Sequence, residues 1–310
     1  MRSRLAIQFV AMNSLRLLPS VRSVLLLVLL FGLGACAIEK PRLAASVSYA
    51  IESFSDPEVK NVVARLANER VLYVFDIDST LLTFPTEQFV GSDHWYQWQS
   101  ELPDESPQKI RCVFEMQAIA YLLQPMVPTD DGFSKEFVRA LQDDGHDVIA
   151  LTARGHDVRH ATERELARNG LDFSQSTPAG HPGLPSAYIP SKSPEVPSPR
   201  FASFQNGVGM VAGQHKGAML GDLLTRLGAD DLYDYIVFFD DGEKNVKGMT
   251  NWFTGHRVST LTFHFQGDAA KFSGHDLDDT DGETQALLGV FEAFGSAERC
   301  VSKGNQLTDY

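Results

Sequence analysis

Residues 71–82 read VLYVFDIDSTLL, an unbroken apolar run that ends in two aspartates. Its first five residues are aliphatic or aromatic, which is typical of a strand buried on both faces. Asp76 and Asp78 stand two positions apart where this strand stops, so both carboxylates can face the same side. Ligands of parallel sheets bind at the carboxyl ends of the strands. The stretch therefore predicts a buried parallel strand that delivers two carboxylates to a binding site.

Apolar runs and helical patterns alternate along the rest of the chain. Strands are predicted at residues 148–151, 236–239 and 258–265. Helical spacing predicts helices over residues 57–68, 133–142, 156–168, 216–227 and 243–253. This alternation indicates an α/β fold with a Rossmann-like parallel sheet and helices on both faces.

Two segments do not follow the alternation. Residues 83–130 contain an aromatic cluster around Trp95 and Trp98 and a predicted helix over residues 108–123. We interpret them as a small cap inserted after the first core strand, with residues 56–82 and 131–310 forming the core. The two tryptophans fit either a lid that contacts substrate or the cap's own core. Residues 178–199 hold seven of the fifteen prolines, which predicts an extended surface connection.

Polar side chains follow two more of the predicted strands, and one begins a predicted helix, at the same edge of the sheet. Thr152 and Arg154 come directly after the second strand, and Lys216 opens a helix. The third strand is followed by Asp240 and Asp241. Hydroxyl and ammonium groups suit phosphate oxygens, and carboxylates suit a hard cation. Arg154 fits a substrate clamp or a salt bridge beside the sheet equally well.

This ordered set resembles the haloacid dehalogenase-like hydrolase superfamily. Its motifs are D-x-D-x-T, a strand-terminal Thr or Ser, a Lys and a final acidic pair, matched here over residues 71–246. The stretches VFDIDSTL, GSDHWYQW, LTARG, NGVGMVAGQHKG and FFDDGEKNV are similar to a poorly characterised family of secreted bacterial proteins within it. The resemblance implies a magnesium-dependent phosphomonoester hydrolase that acts on a small phosphorylated substrate through an aspartyl-phosphate.

The resemblance also implies a role for each motif residue. Asp76 would be the nucleophile and Asp78 the general acid and then the general base. Thr152 and Lys216 would hold the phosphate oxygens. The magnesium ligands would be Asp76, Asp78 through its backbone carbonyl, and Asp240, with Asp241 completing the shell.

Other readings of these residues and of the whole protein stay open. Asp78 or Asp241 could be a helix cap, and Lys216 could be an ordinary surface lysine. At the level of the whole protein, a binding or interaction protein of the envelope with little turnover is one alternative. A phosphotransferase is the other.

The N-terminus has the pattern of a targeting segment. Residues 1–35 hold four arginines and no acid. Residues 24–33 form an apolar run that is only half as long as the roughly 20 residues needed to span a bilayer. Residues 33–36, LGAC, resemble the lipobox of bacterial lipoproteins. We therefore predict a lipoprotein signal peptide over 1–35, lipidation of Cys36 and a tether over 36–55. A plain secretory signal and a buried core helix are the alternatives, and Met12 is an alternative start.

These features predict a protein of the bacterial envelope, attached to the membrane through its lipid. Ala37 after the cysteine resembles the outer-membrane sorting pattern, which places the protein facing the periplasm. After residue 35 the chain carries a net charge of −17, so a nucleic-acid partner is excluded. Cys112 and Cys300 could pair in that oxidising compartment. The acidic stretch 276–281 is predicted to be a solvated loop.

Overall fold

The computed structural model describes residues 47–106, 108–274 and 280–293. The predicted signal peptide, Cys36 and residues 36–46 of the tether lie outside these ranges, as does Cys300. Among the described residues, no helix is both long enough and apolar enough to cross a membrane.

A seven-stranded, mostly parallel sheet forms the centre of the molecule. The strands are β1 (Val47–Ile51), β2 (Val71–Phe75), β5 (Asp147–Thr152), β6 (Ser203–Gln205), β7 (Val208–Met210), β8 (Tyr235–Asp240) and β9 (Ser259–Phe265). Their order in the sheet is β1-β9-β8-β2-β5-β7-β6, and within it only β6 runs antiparallel to its neighbour. A separate two-stranded sheet consists of β3 (Leu82–Thr83) and β4 (Val127–Pro128).

Helices flank the sheet and cover both of its faces. The helices are α1 (Pro57–Leu66), α2 (Asp93–Glu101), α3 (Val113–Leu123), α4 (Phe133–Asp143), α5 (Arg159–Arg168), α6 (Lys216–Arg226), α7 (Glu243–Phe253) and α8 (Thr280–Ala293). On one face Leu72 and Val74 of β2 belong to a buried cluster with residues of α6 and α7. On the other face Phe75 packs against Phe137 of α4. The predicted α/β class with a largely parallel sheet is confirmed.

The central strands form because their side chains are apolar on both faces. All five residues of β2 and all six of β8 are buried. Phe239 stacks between Phe75 and Phe263, with ring centroids 4.7 and 4.6 Å away. This aromatic row holds three adjacent strands in register, and so fixes the relative heights at which their carboxyl ends stop.

Three sequence predictions need correction. Residues 47–51 of the predicted tether form β1, which pairs with β9; Ser48 and Ala50 are exposed, so the apolar signal of the segment is weak. The helix predicted from residue 108 begins only at Val113. Strands β6 and β7 were not predicted, although Asn206 and Gly207 between them adopt the positive φ angles (50° and 72°) of a tight hairpin turn.

The inserted residues 83–130 contain α2, α3 and β4, and the two helices lie between the strands of the small sheet along the chain. One buried acid joins this segment to the core. Asp268, which follows β9, accepts a hydrogen bond from Thr83 Oγ1 at 2.9 Å, and its Oδ2 lies 3.2 Å from His94 Nε2 of α2. Cys112 is disulfide-bonded. Its predicted partner Cys300 lies outside the described ranges, so the pairing of these two cysteines stays a prediction.

Candidate functional site

Asp76 and Asp78 lie on a tight turn at the carboxyl end of β2. The Asp76 amide continues the sheet by donating to the Phe239 carbonyl at 2.9 Å. The chain then reverses, with Leu82 N donating to Ile77 O at 2.8 Å and Ser79 at a φ of 52°. Both aspartates are buried, at 4% and 7% exposure. The turn therefore brings two carboxylates to one edge of the sheet, as the sequence predicts.

Lys216 lies between two carboxylates. Its ammonium donates to Asp240 Oδ2 at 2.6 Å and forms an ion pair with Asp76 Oδ1 at 2.5 Å. Burial alone would lower the Lys216 pKa, but the adjacent Asp240 and Asp76 charges outweigh it and raise that pKa. Lys216 is 2% exposed, so the reading of an ordinary surface lysine is wrong.

Asp240, the last residue of β8, is fully buried, and both oxygens of its side chain accept hydrogen bonds. Besides Lys216, the amide of Gly242 and the side-chain amide of Asn245 both donate to its Oδ1, at 2.8 and 2.9 Å. The next residue is fixed through its backbone, because the Asp241 amide donates to Thr80 Oγ1 at 3.0 Å. The acidic pair after β8 is thus bonded to the D-x-D-x-T turn after β2.

Arg154 forms the second cationic contact of the site. Its Nε and Nη2 donate to the two oxygens of Asp78, at 2.9 and 2.7 Å. Nη1 donates to Thr162 Oγ1 at 3.0 Å, and the guanidinium carbon lies 3.8 Å from the centre of the Tyr121 ring. Of the two readings left open by the sequence, the salt bridge is therefore the one observed, and its partner is Asp78.

Thr152 lies on the same side of the site as Arg154. It is fully buried, its hydroxyl lies 3.4 Å from Asp78 Oδ2, and it accepts from the Arg154 amide at 3.1 Å. Asp78 and its two partners thus form one contiguous group, and Lys216 with Asp76 and Asp240 forms another. Every residue predicted for the site apart from Cys36 belongs to this edge of the sheet.

Asp76, Asp240 and Asp241 each offer a carboxylate oxygen within 4.8 Å of the others. Burial, reinforced by Asp240 and Asp76, raises the pKa of Asp241 well above its usual range. Burial likewise raises the pKa of Asp76, against the lowering effect of Lys216. Carboxylates crowded in this way gain from a divalent cation, and an all-oxygen donor set fits Mg²⁺. For Asp78 the resemblance implies a metal ligand only at the backbone carbonyl. Both oxygens of its carboxylate accept hydrogen bonds from Arg154.

Two further side chains come from the inserted segment and were missed by the sequence analysis. Asp93, the first residue of α2, interacts electrostatically with Asp78, Arg154, Lys216 and Asp240, and burial raises its pKa to about 7. Tyr121 of α3 lies against Arg154. Asp93 could have been noticed in the sequence as an acid that directly follows a capping serine, Ser92, and directly precedes the aromatic cluster.

The other sequence candidates have structural roles. Trp95 is fully buried and Trp98 packs on Phe89 with ring centroids 6.0 Å apart, which supports the reading of the tryptophans as core of the inserted segment. His215, directly before Lys216, also has a structural role, because it caps α6 by accepting from the Ala218 amide at 3.1 Å. Of the acidic stretch, Asp281 lies in α8 rather than in a loop, and residues 276–279 lie outside the described ranges.

A family model described as "Protein of unknown function (DUF2608)" matches residues 52–277. The chain belongs to the DUF2608 family. A search of curated proteins and a search of solved structures found no match to it. The matched residues of this DUF2608 protein include β2, β5, α6 and β8, so the whole acidic edge of the sheet lies within the family region.

The charged side chains at this edge can surround a bound anion and interact with it electrostatically. A carboxylate beside an ammonium can attack an electrophile, and three clustered carboxylates can hold a hard cation. The buried position removes competing water, which strengthens each electrostatic contact. The DUF2608 protein therefore places a carboxylate beside a buried ammonium, a buried guanidinium and three candidate metal ligands at the carboxyl edge of its sheet.

Proposed function

We propose that this DUF2608 protein is a magnesium-dependent phosphomonoesterase of the haloacid dehalogenase-like superfamily. The observation that carries the proposal is the position of Lys216, whose ammonium contacts both Asp76 and Asp240 at the carboxyl edge of the sheet. A phosphate approaching Asp76 meets that fixed positive charge. The inserted segment 83–130 is then the cap of this core.

The reaction proceeds in two steps at Asp76. One carboxylate oxygen of Asp76 attacks phosphorus, the bond to the leaving oxygen breaks, and that oxygen takes a proton from Asp78. A water molecule then attacks the aspartyl-phosphate, gives a proton to Asp78 and releases inorganic phosphate, which restores the Asp76 carboxylate. Lys216 and Thr152 stabilise the charge on the phosphoryl oxygens.

A Mg²⁺ held by Asp76, Asp240 and Asp241 would supply charge that reduces the repulsion between the attacking carboxylate and the phosphate. Asp78 can exchange a proton with the substrate only after Arg154 releases it, because both Asp78 oxygens accept from the guanidinium. A phosphate that draws Arg154 onto its own oxygens frees Asp78 to exchange protons. Arg154 is thereby a candidate substrate contact as well as a partner of Asp78.

The proposal also locates the protein in the bacterial envelope. It rests on the apolar run at residues 24–33 and the LGAC sequence that ends at Cys36. Two acyl chains on one cysteine give stable attachment where a single chain gives only marginal binding. The catalytic unit would then face the periplasm from the outer membrane.

The test compares variants of the soluble chain that starts after Cys36, assayed on a panel of phosphomonoesters with and without Mg²⁺. Asp76→Asn should abolish both phosphate release and covalent trapping by beryllium fluoride. Asp78→Asn should form the aspartyl-phosphate from esters with good leaving groups but hydrolyse it slowly, which appears as a burst. Asp231→Asn, at an 82% exposed side chain, is the matched control and should retain full activity.

Three outcomes contradict the proposal. Near wild-type hydrolysis by Asp76→Asn would exclude the nucleophile. Magnesium binding without turnover of any ester in the panel would favour the binding protein of the envelope. Transfer to an added alcohol in preference to water would favour the phosphotransferase.

A further inference from the structure

The ring of Tyr121 covers one face of the Arg154 guanidinium. The guanidinium carbon lies 3.8 Å from the centre of the ring, and Tyr121 is only 7% exposed. A cation over an aromatic face is attracted by the negative potential of that face, and the attraction is stronger where water is excluded. Tyr121 belongs to α3, so this contact reaches the site from the inserted segment.

The Tyr121 ring is itself held by both the inserted segment and the core. Phe84, which follows β3, stacks on it with ring centroids 5.9 Å apart and an angle of 15° between the planes. The backbone carbonyls of Tyr121 and Leu122 accept hydrogen bonds from Arg164 of α5, both at 2.9 Å. The end of α3 is thereby bonded to the core, which leaves the ring little freedom to move away from Arg154.

The other contacts of Arg154 act through N–H groups in the plane of the guanidinium. Nε and Nη2 donate to Asp78, and Nη1 donates to Thr162 Oγ1. Nη2 also donates to Met126 Sδ, which is a weak acceptor. Because the guanidinium is planar, these bonds fix its position within the plane. The Tyr121 ring is the contact that opposes movement of the guanidinium through the face it covers.

The proposed reaction requires Arg154 to release Asp78 and to bind it again in every turnover. While the two bonds to Asp78 are open, the long arginine side chain regains rotamer freedom that would carry it away from the site. We propose that Tyr121 is a positioning residue that holds the Arg154 guanidinium in place during this exchange. It thereby keeps Asp78 directed at the water that attacks the aspartyl-phosphate, an inference that rests on the proposed phosphatase function.

The test separates the electrostatic attraction of the ring from its packing. Phenylalanine, 3,5-difluorophenylalanine and 3,4,5-trifluorophenylalanine are incorporated at position 121 of the full-length chain. The three rings have nearly the same size, but fluorine withdraws electron density from the ring face and weakens its attraction for a cation. Rapid-quench kinetics with 4-nitrophenyl phosphate then measure the formation and the hydrolysis of the aspartyl-phosphate separately.

The hydrolysis step should respond to the electron density of the ring. Tyr121→Phe should hydrolyse the aspartyl-phosphate at close to the wild-type rate, because the aromatic face remains. The rate should then fall with each increase in fluorination, by about tenfold in total for the trifluorinated ring. Formation of the aspartyl-phosphate should change little, because 4-nitrophenolate leaves without needing a proton from Asp78.

Two controls show whether the effect passes through Arg154. Met116→Ala shortens a fully buried side chain elsewhere in α3 and should lower the melting temperature without slowing hydrolysis. In an Arg154→Met background the three rings should give one common hydrolysis rate, because the cation on which they act is absent. Thermal melts of every variant verify that the fold is intact.

The results separate this inference from the function on which it rests. Equal hydrolysis rates for the three rings overturn the role of Tyr121 and leave the phosphatase proposal in place. A Tyr121→Phe variant as slow as the trifluorinated protein also overturns it, because the hydroxyl would then be the active group. The same dependence on fluorination in the Arg154→Met background overturns it as well. If no phosphomonoester is turned over, the phosphatase proposal fails and the inference fails with it.

Discussion

Arg154 binds Asp78 through both carboxylate oxygens, at 2.9 and 2.7 Å, in a site where both residues are at least nine-tenths buried. The guanidinium also contacts Thr162 Oγ1, Met126 Sδ at 2.9 Å and the face of the Tyr121 ring. Burial alone would lower the Arg154 pKa, but the Asp78 charge outweighs it and raises that pKa. The pair therefore joins the ends of β2 and β5 to the inserted segment that supplies Tyr121.

Breaking this pair from one side should cost more stability than removing it altogether. Arg154→Met leaves a buried carboxylate unpaired, and we expect the free energy of unfolding to fall by about 3–5 kcal/mol. Arg154→Met combined with Asp78→Asn should lose clearly less than the sum of the single changes. Urea denaturation of all four proteins measures the coupling. The exposed Lys247–Glu243 pair is the control and should show no resolvable coupling.

The core strands could be predicted because strands buried on both faces are continuous apolar runs in the sequence. β2, β5, β8 and β9 all read this way, and the strand ends that they imply carry Asp76, Thr152 and Asp240. β1 could not be found in the same way, because it is an edge strand in which Ser48 and Ala50 are exposed, which interrupts the apolar run.

The site could be predicted only as far as it is built from strand ends. Asp93 and Tyr121 reach it from α2 and α3, whose placement depends on contacts distant in sequence, such as His94 with Asp268. No local pattern encodes that docking. The bidentate contact of Arg154 with Asp78 could not be predicted from the sequence either, since an arginine after a strand fits a substrate clamp and a salt bridge equally well.

Lipidation of Cys36 is expected in a bacterial host. Labelled palmitate should enter the wild-type chain and should not enter Cys36→Ser, because the thiol is the site of diacylation in a lipobox. Cys112→Ser is the control cysteine variant and should label like wild type. Equal labelling of wild type and Cys36→Ser, or none in either, would contradict the anchor.

Asp268 should control the stability of the inserted segment more than that of the sheet. Asp268→Ala leaves the Thr83 hydroxyl buried without its acceptor, which costs about 1–3 kcal/mol. Hydrogen exchange should accelerate in the amides of α2 while those of β2 and β8 keep their protection. Asp104→Ala, at an exposed position of the same segment, should change neither. Uniform acceleration across the sheet would show that Asp268 supports the whole fold instead.

Magnesium should stabilise the wild-type chain and do so less in Asp241→Asn. Ligand binding to the folded state contributes about 2.7 kcal/mol when the free ligand is at 100 times its Kd. Burial next to Asp240 and Asp76 raises the pKa of Asp241, so its ionised form destabilises the metal-free fold at neutral pH. Asp241→Asn should therefore melt above wild type in EDTA and gain less from added Mg²⁺. Identical magnesium titrations for the two proteins would exclude Asp241 as a ligand.

Asp93 should make the metal-free protein less stable as the pH rises. Burial, with Asp78 adding to it, raises the folded-state pKa of Asp93 from 3.8 to about 7, against the lowering effects of Arg154 and Lys216. A raised carboxyl pKa contributes stability that is fully present below pH 3.8 and is lost as the pH rises through 7.

Asp93→Asn removes this titration, so its free energy of unfolding should exceed that of wild type by a margin that grows with pH. Between pH 5 and pH 8.5 we expect that margin to increase by about 1–3 kcal/mol, less than the full shift because solvent reaches the half-buried side chain. Urea denaturation in EDTA across this range measures it, and Asp104→Asn should give a constant difference. A margin for Asp93→Asn that stayed flat with pH would mean that the carboxylate is solvated and does not face the buried charges of the site.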